Sequence, residues 1–239
     1  MEVHVAFLPE EAGPLRGRIV VVIDVIRATT SVLAMLEGGC AEVLIAPTLE
    51  AARTYRRAHS EVLLAGEQHG RTPVGFDFGN SPPAFSDARL AGRRVVFATT
   101  NGTRAVHAAR DGAAIFMGCL RNRTAAARVA LAAAAGADHE LSVMCAGREG
   151  RFSLDDAYTA GAIVAAAVDL QPDLTLTDAA SAARMLYRSV EDPAVLFRQT
   201  RAGQNVIEIG LAGDLDYCAE VDRSSLVPKV GERVRMVAG

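Results

Sequence analysis

The segment "GRIVVVIDV", residues 17–25, decides the fold. Five apolar residues run without alternation from Ile19 and stop at a carboxylate, Asp24. An antiparallel strand with one wet face alternates apolar and polar. An unbroken run suits a strand covered on both faces, as in a parallel sheet flanked by helices. The continuation "IRATTSVLAMLEGG" (26–39) places Val32, Leu33, Met35 and Leu36 at helical spacing, with Gly38-Gly39 as a stop. Strand, polar turn, helix is the repeating unit of an α/β fold.

The same unit recurs along the chain. Strands are expected at 41–47, 61–67, 93–100, 113–119 and 140–147. Helices are expected at 48–59, capped by Thr48, at 102–113, at 122–136 with Asn122 as cap, and at 153–170 starting at Ser153. Residues 68–92, rich in Gly, Pro, Asp and Asn, form a connection far longer than the usual handful of residues, and such loops often carry function. Beyond 170 two helices (176–190 and 192–210) and a tail strand within 225–237 are expected. The predicted class is α/β, with a largely parallel sheet, helices on both faces and a smaller C-terminal α/β portion. The division is a core at 1–170 and a completing segment at 171–239, or one domain throughout.

Composition narrows the function. The chain has 239 residues, half of them hydrophobic, with 22% charged and net charge −3. That composition supports a sizeable core and gives no basic stripe for nucleic acid and no polybasic membrane patch. Cys40, Cys119, Cys145 and Cys218 form no C-x-x-C pair and read as free thiols in a reducing cytoplasm. The N-terminal stretch lacks the long apolar run of a signal peptide, and the apolar segment "TAGAIVAAAVDL" is too short to span a bilayer. A cytoplasmic location is expected.

In parallel sheets, ligands bind beyond the carboxyl ends of the strands. The residues there are unusual in kind. Asp24, Arg27, Thr29 and Thr30 follow the 17–25 strand; Glu67, then Asn80 and Ser81, follow 61–67. Thr99, Thr100, Asn101, Gly102 and Thr103 follow 93–100, and Cys145, Arg148, Asp155 and Asp156 come at or after 140–147. "TTNGT" (99–103) between strand and helix offers backbone N–H groups and hydroxyls suited to an anion, although Asn-Gly alone also signals a hairpin. Asp24 at the end of an apolar run needs a metal or a partner, such as a salt bridge to Arg27. Glu67 could be a solvated strand end, and Asp155 and Asp156 could be ordinary first-turn acids. Several such acids near anion loops suit Mg²⁺, which uses few carboxylates together with water and phosphate. A rival is "CAGREGR" (145–151), whose C-x₅-R spacing matches the cysteine phosphatases, though its glycines are misplaced for that loop. Asp-x-Asp phosphatases are excluded by Ile26 in the second Asp position. Nicotinamide enzymes are excluded by the lack of G-x-G-x-x-G after the strand.

Taken in order, "VVIDVIRATTSVLAML", "LLAGEQHG", "GFDFGNSPPAF", "VVFATTNGTRAV", "GCLRN", "CAGREGRFSLDDAYTAG" and "DLDYCAEVDRSSLVP" resemble the 2-phosphosulfolactate phosphatase family over nearly the whole chain. The resemblance implies a Mg²⁺-dependent phosphatase that releases phosphate from 2-phosphosulfolactate, a step toward coenzyme M, or from related 2-phosphorylated hydroxy acids. It implies Asp24, Arg27 and Asn101 as catalytic residues. Substrate binding falls to Thr29, Thr30, Asn80, Ser81, Thr99, Thr100, Gly102, Thr103 and Arg148, and metal binding to Asp24, Glu67, Asp155 and Asp156. The attacking group is a metal-bound water or Asp24. The chain departs from the family pattern with Asp155 where Glu is usual, Thr159 near an expected cysteine, and Gln68 in place of a basic residue. The expected partner is a small anionic phosphoester, without nucleic acid or membrane, and a homodimer is allowed. A non-catalytic receptor for a phosphorylated or sulfonated acid would need the anion loops but not the acids.

Overall fold

The computed structural model describes residues 1–137 and 139–237. The decisive run forms strand β2 (Arg18–Ile23), at the interior of a parallel sheet, with β6 (Ala114–Gly118) on one side and β7 (Glu140–Cys145) on the other. Every residue from Ile19 to Val25 except Asp24 is at most 2% exposed. Ile19, Val21 and Ile23 face one core and Val20 and Val22 the other, which is why the run does not alternate. Beyond β7 lie β1 (Glu2–Ala6) and the two-residue β8 (Thr175–Leu176).

The remaining strands form a second parallel sheet, in the order β4 (Leu63–Gly66), β5 (Arg94–Ala98), β3 (Glu42–Ile45) and β9 (Val234–Met236). The α/β class with parallel strands and helices on both faces is as expected. The partition into two sheets is not visible in the strand patterns, because burial on both faces looks the same in either sheet. Helices α1 (Ala28–Glu37) and α4 (Gly102–Ala108) contribute to the core between the sheets. Helix α2 (Leu49–Ala58), capped by the Thr48 side chain as expected, contributes Ala52 to the core behind the second sheet. Helices α5 (Arg123–Ala135), α6 (Leu154–Leu170) and α7 (Asp178–Arg188) help build the core on the outer face of the first sheet.

Some local expectations need correcting. Strand β1 was hidden by Glu2 and His4, whose polar side chains interrupt the apolar pattern. The 68–92 connection contains a short helix, α3 (Pro82–Asp87). Asn122 does not cap α5; its Oδ1 accepts from the Cys119 N–H at 2.9 Å. The helix expected at 192–210 is two, α8 (Pro193–Gln199) and α9 (Arg201–Glu208), because Thr200 adopts extended backbone and caps the second. Helix α10 (Gly213–Ala219) was not anticipated. The expected tail strand narrows to β9, and the last two residues of the 171–239 segment lie outside the described residues. Among the described residues no helix is long and apolar enough to cross a membrane.

Candidate active site

Both sheets direct the carboxyl ends of their strands into one cleft of about 500 Å³. Asp24, Arg27, Glu67, Asn80, Thr99, Thr100, Asn101 and Arg148 line it. Ile26, His69, Gly70 and Glu149, together with Ala202, Asn205 and Val206 from α9, complete the lining and were not anticipated. Asp155, Asp156, Thr29, Thr30, Ser81, Gly102 and Thr103 stand behind or beside the cleft rather than on its wall.

Asp24 follows β2 directly, and its Oδ1 accepts from the Ala28 N–H at 3.3 Å. Burial pushes its carboxyl up to about 7, against the pull of the Ala28 and Gly102 N–H groups, and the charges of Glu67 and Asp155 push the same way. Gly102 is required here, since a Cβ would stand 2.7 Å from Asp24 Oδ2 and 2.5 Å from Ala28 Cβ. Glu67 accepts from the N–H groups of Thr100 at 2.6 Å and Gly70 at 2.7 Å. The oxyanions that the "TTNGT" N–H groups hold in this structure are the protein's own carboxylates, Glu67 at Thr100 and Asp24 at Gly102. Thr99 and Thr103 are engaged with each other: each N–H donates to the other's hydroxyl at 3.2 Å. No hairpin forms, as α4 begins at Gly102.

The two first-turn acids of α6 are both 2% exposed. Asp155 accepts from Ser153 Oγ at 2.8 Å, and burial raises its pKa above the ordinary carboxylate range. Asp156 accepts from the Val25 N–H at 2.9 Å and the Gly147 N–H at 3.1 Å, joining the ends of β2 and β7. Burial, then the charges of Asp155 and Asp24, raise it well above its usual range. No three of these four acids bring ligand atoms within 4.8 Å of one another; among the described residues the one such trio is Glu2, His4 and Glu140, at the start of β1 and β7. There Arg18 Nε already donates to Glu140 Oε2 at 3.1 Å.

Arg27 pairs with Asp214 on α10, not with Asp24. Its Nη1 donates to Asp214 Oδ2 at 2.7 Å and its Nη2 to the Gly70 carbonyl at 2.9 Å. Ser81 Oγ donates to the other Asp214 oxygen at 2.7 Å. Thr29 Oγ1 donates to the Asp24 carbonyl at 3.0 Å and Thr30 Oγ1 to that of Val25 at 2.9 Å, so both hydroxyls fasten the turn before α1. Asn101 Oδ1 accepts from the Glu149 N–H at 2.9 Å, and Arg148 Nη1 donates to the Arg201 carbonyl at 3.2 Å, each tying neighbouring loops across the cleft mouth. Asn80 is 5% exposed, and its Oδ1 has no hydrogen-bond partner. Asp214 was missed because its helix is short and polar in sequence; its one signal was membership of the late "DLDYC" block.

The cysteine alternative does not survive the geometry. Cys145 is the last residue of β7 and 1% exposed; burial, then the Asp156 and Asp155 charges, push its thiol well above the ordinary range. A thiolate nucleophile needs the opposite environment. Arg148 and Arg151 close a tight turn through reciprocal backbone bonds of 2.8 and 2.9 Å, and Arg151 is exposed. All four cysteines are buried free thiols, as expected.

Comparison with known proteins identifies the family. The family model described as 2-phosphosulpholactate phosphatase matches residues 6–233. A protein of Deinococcus radiodurans named probable 2-phosphosulfolactate phosphatase is 42% identical over 95% of this chain and 92% of its own length. One so named from Thermus thermophilus is 40% identical over 90% of this chain and 89% of its own, and one from Clostridium acetobutylicum 32% over 90% of each. With a match spanning both sheets and every wall of the acidic cleft, the chain belongs to the 2-phosphosulfolactate phosphatase family of phosphoric monoester hydrolases.

Proposed function

We propose that the protein is a Mg²⁺-dependent phosphatase that hydrolyses 2-phosphosulfolactate, or a related 2-phosphorylated hydroxy acid, to the free hydroxy acid and phosphate. The observation that carries the metal is a cluster of buried acids with no cationic side chain paired to them. Asp24, Asp155 and Asp156 are buried together, and among the described residues none has a salt-bridge partner. The nearest buried cation, Arg27, is already neutralised by Asp214. Buried acids in this state call for a cation, and the orphaned Asn80 Oδ1 adds a neutral oxygen of the kind that hard cations accept. Asp24 and Glu67 on the cleft wall would hold Mg²⁺, with Asp155 behind them. When bound, the ion would neutralise phosphoryl charge and activate water.

The chain's own residues then divide the work. Arg27 and Arg148 present cationic groups to the phosphoester, and Arg27 is fixed where charge builds on the transferring oxygens. Asn101 and Thr100, on the same cleft wall as Glu67 and Glu149, orient the ester. Asp24 serves either as the attacking carboxylate or as the base that takes a proton from the attacking water. Its raised pKa suits the base. The setting proposed is cytoplasmic, with the reaction on a route to coenzyme M where that cofactor is made.

Phosphate release from 2-phosphosulfolactate and 2-phospholactate, with Mg²⁺ and with excess EDTA, tests the reading. Release that EDTA abolishes and Mg²⁺ restores is expected. Release indifferent to EDTA overturns the metal, and no release from either ester overturns the substrate class.

A further inference from the structure

We infer that Asp214, brought from the C-terminal helix α10, is a positioning residue that holds the Arg27 guanidinium against the phosphoryl group. The inference rests on the reading of the cleft as a phosphoester site. Two segments that build the cleft, those carrying Arg27 and Ser81, meet at this carboxylate. Oδ2 accepts from Arg27 Nη1 at 2.7 Å and Oδ1 from Ser81 Oγ at 2.7 Å. Arg27 also ties to the Gly70 carbonyl at 2.9 Å, and the Gly70 N–H in turn donates to Glu67. Arg27 and Asp214 are each 3% exposed. A guanidinium this buried has no water to fall back on, so its direction is set by the acceptors that hold it. Of its five N–H donors, those not given to Asp214 and Gly70 meet no protein acceptor among the described residues, although the side chain lines the cleft. Asp214 itself does not line the cleft and so acts through Arg27.

A cycle of variants tests this, read in kcat, KM and affinity for inorganic phosphate in the presence of Mg²⁺, with melting temperature recorded for each protein. Asp214→Ala frees Arg27 and should cost roughly 100-fold in kcat/KM, the scale expected when a catalytic group is displaced by about 1 Å. Asp214→Asn keeps an oxygen for Arg27 but removes the charge, and should cost a measurable but smaller loss, about three- to tenfold in kcat/KM. In an Arg27→Ala background, adding Asp214→Ala should cost nothing further, because the group it positions is gone. A role confined to folding would lower the melting temperature and give the same kinetic loss in both backgrounds, which overturns the inference, as does an Asp214→Ala enzyme with wild-type kinetics. Should Asp214→Ala fail to fold, Asp214→Asn carries the cycle: a loss only when Arg27 is present supports the inference, and no loss, or equal loss in both backgrounds, overturns it. A wild-type protein that binds phosphate but hydrolyses neither ester defeats the phosphatase reading alone, and the cycle is then read in phosphate affinity. Absence of both binding and hydrolysis overturns the two together.

Discussion

Asp24 ends the interior strand in a site with little water, and its proton balance links function to stability. In the unfolded chain this carboxyl titrates at its ordinary value of 3.8; in the fold it is pushed up to about 7. Below the lower value both states hold the proton, and the group has no effect on folding. Between the two values the unfolded chain releases the proton while the fold retains it, so stability falls as pH rises and levels off above the folded pKa. Asp24→Asn, measured in EDTA, should therefore raise the melting temperature more at pH 8 than at pH 5, while phosphate release is lost at both. A gain of equal size at the two pH values would mean that Asp24 is not the group that holds the proton. At this scale the sequence was informative where a polar residue breaks an apolar run. Asp24 and Glu67 stand out for that reason, Asn101 through its "TTNGT" cluster, and all three line the cleft. It was uninformative where a buried acid sits among other polar residues, as Asp214 does. Sequence also could not say which oxyanions the "TTNGT" N–H groups would meet, since a carboxylate of the chain and a phosphate of a ligand ask for the same donors.

At the scale of elements, the alanine-rich α6 shows how small residues set the position of the acids at its start. Ala160, Ala162 and Ala167 are fully buried, and Gly161 lies against α7 so closely that a Cβ would stand 1.9 Å from the Ala183 carbonyl oxygen. Close helix packing fixes α6, and α6 in turn presents Asp155 and Asp156 to the end of β2. Gly161→Ala must push α7 outward. It should cost about 1–3 kcal/mol or more, as overpacking does, which for a chain of this size lowers the melting temperature by roughly 2–4 °C per kcal/mol. Thermal unfolding checks it: an unchanged midpoint would show that the α6–α7 contact relaxes freely. The apolar runs made most strands legible, and Thr48 marked its helix. Strand β1 was hidden by Glu2 and His4, and the α8–α9 break by a threonine whose extended backbone no periodicity reveals.

For the whole molecule, the arrangement of the cleft explains why the C-terminal part is needed. The first sheet supplies Asp24 and Arg148, and the second supplies Glu67 and Thr99. The segment after residue 170 interleaves with both: β8 pairs with β1 at the edge of one sheet, and β9 pairs with β3 at the edge of the other. Helix α7 covers the outer core, α9 forms a wall of the cleft, and α10 delivers Asp214 to Arg27. Sequence order suggested a core at 1–170 with a segment at 171–239 completing it, or one domain throughout, and left the pairings open because partners far apart in the chain leave no local pattern. In space, residues 1–170 alone would expose the face of α6 that α7 covers and strip Arg27 of its carboxylate partner. Against a total stability of about 5–15 kcal/mol for a folded domain, those two defects together leave little to hold the remainder. A chain ending at residue 170 should thus show no cooperative thermal transition by circular dichroism and release no phosphate. A sharp transition in that fragment would show that the first 170 residues fold by themselves, and would reduce the C-terminal segment to a supplier of one cleft wall.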